Sequence, residues 1–193
     1  MANTMLLAVF ALLQVMCFLS TSPVHGVSAA AGSCHASGYV HGKETRCPKG
    51  SPDCCVVGKS YPRFRCSPPV SAKTPAILTL KVFDNGEDGG PTSCDMRFHR
   101  NTELVVALSS GWLRLDGGAR RRCNGRIRVA AAANGRSVVA RVVDECDSVN
   151  GCREEDGYSP PCRNNVVGGS PAVWKKLGLN ESVGEFEVTW SDV

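Results

Sequence analysis

Five stretches of the chain read as strands, several with clear apolar–polar alternation: ILTLKVF at 77–83, ELVVALS at 103–109, RIRVA at 126–130, SVVARVV at 137–143 and EFEVTW at 185–190. In the last of these Phe186, Val188 and Trp190 fall on one face, and Glu185, Glu187 and Thr189 on the other. One stretch has a helical period instead. In SPAVWKKLG, Ser170 can cap, Pro171 suits the first turn, Gly178 stops the helix, and Val173, Trp174 and Leu177 share a face. This pattern predicts a mostly β architecture, closed or nearly closed, with one short helix just before the last strand. Residues 32–66 are polar and cysteine-dense with no sustained period, which predicts a small, loop-rich, disulfide-held module. The proline-rich stretch at 67–76 reads as an extended linker, leaving 77–193 for the β domain.

The first residues form a different kind of apolar run. MANTMLLAVFALLQVMCFLS is followed by the small residues of TSPVHGVSAAAGS, the pattern of a secretory leader over 1–26 with cleavage between 26 and 31. Its apolar core is shorter than the roughly 20 residues that a spanning helix needs, so no membrane anchor is expected. Cleavage would remove Cys17 from the 11 cysteines. That leaves Cys34, Cys47, Cys54, Cys55, Cys66, Cys94, Cys123, Cys146, Cys152 and Cys162. An even set in a secreted chain reads as disulfides, and if all of them pair, at least one bridge must join the N-terminal module to the barrel. A zinc site would want C-x-x-C pairs, which do not occur, so neither metal nor cofactor is expected. Asn180, in N-E-S, is an N-glycosylation sequon in a surface turn.

Charge changes the picture little. The net charge is +4, with Arg120, Arg121, Arg122, Arg126, Arg128, Arg136 and Arg141 close together in sequence. A solvated strand edge is favoured over an anion-binding patch, and nucleic acid is not expected as a partner, because the chain is read as secreted and the stretch lacks interleaved aromatics.

The segment DECD, with Asp144, Glu145 and Asp147, raises the question of chemistry. Its spacing is not that of a calcium loop, and a single well-placed carboxylate is not the pair that glycoside hydrolysis needs. The chain has no G-x-S-x-G, and His35, His41 and His99 read as satisfied surface histidines. A structural, bridge-pinned loop is the favoured reading of the acids, with recognition second. Trp174 and Trp190 sit at core positions, leaving Trp112 and Tyr158 as candidate exposed aromatics.

The segments VVALSSGW, RRCNGRIRV, GRSVVARVVDEC, PPCRNNVVGGSPAVWKKLGL and VGEFEVTWSDV, with CSPPV and DGGPTSCD before them, resemble the kiwellins, or ripening-related plant proteins, over nearly the whole chain after the leader. The resemblance implies a six-stranded double-psi β-barrel, the fold of barwin, the expansin first domain and related endoglucanases. In the expansin-type relatives the run entering the helix reads approximately His-Phe-Asp-Leu-Ser-Pro-Ala-Phe. Here Gly168 stands in the place of that acid. No enzymatic activity is therefore expected. The resemblance implies a secreted, monomeric defence protein of the apoplast or cell wall that binds a secreted microbial protein such as a fungal chorismate mutase. Its expected contact residues are Asp144, Glu145, Asp147, Arg153, Arg163, Asn164 and Asn165. The other reading is a non-hydrolytic wall-polysaccharide binder, with Arg128, Arg141, Trp112 and Tyr158 lining a groove.

Overall fold

The computed structural model describes residues 34–43, 54–85, 90–114 and 121–193. The leader, Cys47 and Arg120 lie outside the described residues. Residues 31–193 form one compact unit.

Two short antiparallel strands, β1 (Gly38–His41) and β2 (Ser60–Arg63), make a small sheet in the N-terminal module. The barrel follows with β3 (Thr74–Leu80), β4 (Val105–Ser109), a helical turn α1 (Ser110–Leu113), β5 (Arg126–Ala130) and β6 (Ser137–Cys146). It is completed by β7 (Val166–Gly169), α2 (Pro171–Leu177) and β8 (Glu185–Asp192). The six barrel strands close in the order β3-β7-β4-β6-β5-β8. β3 pairs with β7 and β4 with β6 in parallel, and the other pairs are antiparallel, as the double-psi barrel expected from the resemblance.

Alternation decides what the barrel encloses. Ala76 and Leu78, Ile127 and Val129, Val138, Ala140 and Val142, and Val188 and Trp190 point into one buried cluster. Val173, Trp174 and Leu177 of α2 join that cluster. The helix is capped by Ser170, whose side chain accepts from the Val173 amide, and Gly178 ends it at φ 67°. β4 is buried at every position because both faces are covered. Val106 and Leu108 face the barrel core, while Val105 and Ala107 join Phe83 and Val143 in a second cluster.

Three expectations are corrected here. The last three residues of the stretch read as a linker, 74–76, belong to the barrel, since β3 already begins at Thr74 and pairs there with Trp190. Trp112 is not an exposed aromatic. It is 1% exposed, meets Trp190 edge-on at 5.1 Å, and its indole N–H donates to Pro68 O at 2.8 Å. The stretch 66–68 crosses directly over α1 there. A Cβ on Gly111 would come within 2.2 Å of the Ser67 nitrogen, so only glycine permits the approach. His99 is also buried, at 5% exposure, rather than on the surface.

Candidate functional site

The bulged end of β6 is the point from which the site is built. Val106 pairs with Val142 but Ala107 pairs with Asp144, so Val143 is an extra residue in β6. A bulge re-aims the side chains that follow it. Here it lets Val143 join the outer apolar cluster while Asp144 takes the same face as Ala107. The register then sets Thr79, Gly168, Ala107 and Asp144 in one row across four neighbouring strands. Asp144 and the place of the relatives' acid are thus two strand spacings apart, about 10 Å.

In this chain a lysine stem lies over that place. A Cβ on Gly168 would meet Lys81 Cδ at 3.3 Å, and Lys81 Nζ stands 3.5 Å from Asp144 Oδ2. Asp144 Oδ1 accepts from the Ser93 amide at 2.8 Å.

The other two acids are also committed within the chain. Glu145 turns inward, its side chain 6% exposed, and accepts from the Ser110 hydroxyl at 2.7 Å and Arg114 Nη2 at 2.7 Å. Glu145, expected as a contact residue, thus has its carboxylate turned toward Ser110 and Arg114 of its own chain. The bond to Glu145 raises the Arg114 pKa above its ordinary value, outweighing the opposing effect of burial. Asp147 Oδ1 accepts from the amides of Val149 and Asn150 at 2.8 and 2.9 Å, and Oδ2 accepts from the Asn150 side chain at 2.9 Å. It ties the turn that leads into the loop. Among the described residues no group of His, Cys, Asp and Glu could hold a metal.

The loop after Asp147 is braced throughout. Cys146–Cys162 closes it and Cys55–Cys152 joins it to the N-terminal module. The Cys55 amide also donates to Tyr158 O, and the Phe64 amide to Ser148 O. Arg153 is exposed and bonded to Asp156 at 2.8 Å and Glu155 at 2.7 Å, with a single 3-10 turn, Glu154–Asp156, between them. A shallow hollow of about 260 Å³ opens between Arg153 and Gly151 on one side and Val40, His41 and Lys43 on the other. Arg163 is exposed and pairs with Glu185. Asn164 and Asn165 are half-buried, and Asn165 O accepts from the Ile77 amide. Asn180 is exposed, and its side chain accepts from the Ser182 amide.

The four groove candidates do not form one surface. Arg128 and Arg141 share the outward face of β5 and β6, Tyr158 is in the braced loop, and Trp112 is in the core.

A second cluster escaped sequence reasoning. The ring nitrogens of buried His99 lie 3.3 Å from Asp95 and 3.3 Å from Glu103, and Arg141 reaches Asp95 at 3.3 Å. Burial pushes the Asp95 carboxyl up, but Thr92, His99 and Arg141 together hold it below its ordinary value. The Arg100 amide, donating to its carboxylate, is the main cause of the lowered Glu103 pKa, with His99 and Arg141 assisting against burial. The signal in the sequence was the four-residue spacing of Asp95, His99 and Glu103 inside DMRFHRNTE.

The Kiwellin-1 family model matches residues 2–193. "Putative ripening-related protein 4" of Oryza sativa subsp. japonica is 57% identical, over 100% of this chain and 99% of the relative. "Kiwellin" of Actinidia chinensis var. chinensis is 52% identical, over 75% of this chain and 65% of its own length. Among solved structures, "Streptomyces papain inhibitor (SPI)" aligns with a TM-score of 0.45 and 21% identity, covering 65% of this chain and 97% of that one.

Proposed function

The chain belongs to the kiwellin family, and from that membership we propose that it is a secreted, non-catalytic defence protein that binds, and by binding inhibits, a folded protein released by an invading microbe. A secreted fungal chorismate mutase is the partner to test first. One observation carries the reading: each carboxylate of the 144–147 segment is already held by donors of its own chain. Acids spent in this way make a rigid frame rather than a reaction centre. A bridged frame with ordered loops loses little conformational entropy on association, which favours recognition of a folded surface. Exposed Arg153 and Arg163, with half-buried Asn164 and Asn165 and with Asp147, are the proposed contact rim. Four disulfides among the described residues suit an oxidising, extracellular setting.

The test is calorimetric titration of the purified chain with a purified fungal chorismate mutase and, in parallel, with soluble wall polysaccharides. Binding of the enzyme with loss of its activity is expected. Arg163→Glu should weaken that binding and change its salt dependence while leaving Tm nearly unaltered, because an exposed pair such as Arg163–Glu185 contributes at most about 1 kcal/mol. Tight retention of polysaccharide, with no protein bound from any fungal secretion, would replace this reading with wall binding.

A further inference from the structure

The turn around residue 96 is held from both sides and yet presents apolar side chains to water. On its near side Cys94 is bridged to Cys123 and its amide donates to Val143 O at 3.0 Å, while the Ser93 amide is fixed on Asp144. Within the turn, the Thr92 hydroxyl bonds Asp95 Oδ1 at 2.7 Å, the Met96 amide donates to Thr92 O, and the Thr92 amide to Arg97 O. On its far side His99 is buried, its amide donating to Phe83 O. Between these anchors Met96 is 71% exposed, Phe98 is 41% exposed, and Arg97 and Arg100 are exposed. Met96 sits at φ 56°, a left-handed conformation that a long side chain seldom takes and that the surrounding bonds impose.

Folding alone gives no reason to hold Met96 and Phe98 outward on so rigid a base. Exposed apolar groups on a preordered turn have the character of a binding hot spot, because their ordering cost is met before association. Methionine adapts to an irregular apolar pocket. The charges narrow the partner further. Arg114, Arg122, Arg141, Arg153 and Arg163 are paired with acids of their own chain, whereas Arg97 and Arg100, like Arg65, Arg126, Arg128 and Arg136 elsewhere on the surface, have no carboxylate partner among the described residues, and of these Arg97 and Arg100 flank the exposed Phe98.

We propose that this turn is the anchor of partner recognition, inserting Met96 and Phe98 into an apolar pocket whose rim carries carboxylates for Arg97 and Arg100. The occupant is the surface of a folded protein. A neutral glucan offers the arginines hydroxyl acceptors but no charge, and an acidic polysaccharide offers no pocket for the methionine. The proposal rests on the protein-binding reading above and adds to its rim a knob mounted on the same Asp144.

The experiment uses the whole secreted chain against a purified fungal chorismate mutase, against proteins captured from fungal culture filtrate and then purified, and against oligogalacturonate. Met96→Gly removes the side chain while suiting the backbone conformation, so that a loss of binding is not a loss of fold. For the protein that binds the natural chain, Met96→Gly and Phe98→Ala should each raise Kd at least about tenfold. Arg97→Glu should weaken binding and reduce its salt dependence. Val183→Ala, exposed between α2 and β8, should change nothing. Peroxide oxidation of Met96 should be slowed in the complex relative to the free chain. If the variants bind within about twofold of the natural chain and Met96 oxidises at its free rate, the turn is not the anchor although protein binding stands. If no protein binds the natural chain, both readings fall. Binding of oligogalacturonate that is lost in the same variants overturns the protein occupant alone.

Discussion

Asp95 and Glu103 show how single residues couple the outer turn to the barrel. Both carboxyls ionise more readily in the folded chain than in the unfolded one, so folding gains from them at any pH above their ordinary values of 3.8 and 4.5. That gain disappears as pH falls below those values and through the lowered folded ones. We expect Tm to drop as pH falls below about 4.5. In Asp95→Asn that part of the drop contributed by Asp95 should vanish while Tm at neutral pH is reduced. An acid limb of the Tm–pH curve that is identical in the two proteins would show that the ion group does not couple to folding. At this scale the sequence was only partly legible. Glu145 and Trp112 have the residue types of surface contacts, and nothing in the order of residues reveals that Arg114 turns one inward or that the 66–68 stretch covers the other.

Elements whose burial alternates were legible, as was β4 from its continuous apolar run, while the short ones with neither signal were not. β5 and β8 match their sequence patterns, and α2 carries its own cap and stop signals. β7 has no such signal: VVGG is short, half glycine and buried at every position, so it reads as a lead into the helix rather than as a strand between β3 and β4. β1 and β2 are equally brief and lie in a polar, cysteine-dense segment. The strand pattern therefore pointed to a closed or nearly closed β architecture, while the six strands and their double-psi connection came from the resemblance. Because β7 is central, its outward glycine is the critical position for any chemistry of the row. A Cβ at 168 meets Lys81 Cδ at 3.3 Å and, at 3.4 Å, Lys81 Cβ and the Ala107 methyl group, a tight fit that a small shift of the lysine stem relieves, so Gly168→Asp should fold and place its carboxylate beside Lys81. It should not hydrolyse β-glucan, since Asp144 remains tied to Ser93 and Lys81 rather than free to act as the second acid. Turnover by this variant that is lost on adding Asp144→Asn would instead make the row a latent hydrolase site.

The whole molecule is held by two different means, packing in the barrel and covalent bonds in front of it. Among the described residues, neither apolar cluster contains one before Ala76. Among residues 34–66 only Gly42 and Cys55 are buried in the described parts. The N-terminal module is fastened instead by Cys34–Cys66 within itself, by Cys55–Cys152 across 97 residues of chain, and by a few amide bonds to the loop at 148–158. Cys55–Cys152 is the bridge between module and barrel that five cysteines on each side, if all paired, required. A crosslink over so long a loop stabilises by up to about 4 to 5 kcal/mol in the chain-entropy view, and by less where other bridges already restrict the same chain. Replacing Cys55 and Cys152 together by serine should therefore loosen the module and leave the barrel folded. Limited trypsin digestion followed by mass spectrometry should show early cuts after exposed Lys59 and Arg65, while the fragment from 74 onward persists. Partner binding should weaken in the same variant, because Arg153 stands directly beside Cys152 and the hollow it lines with His41 and Lys43 would lose one wall. Simultaneous loss of module and barrel would mean that the bridge supports the packed core as well, and that the two means of stabilisation are not separate.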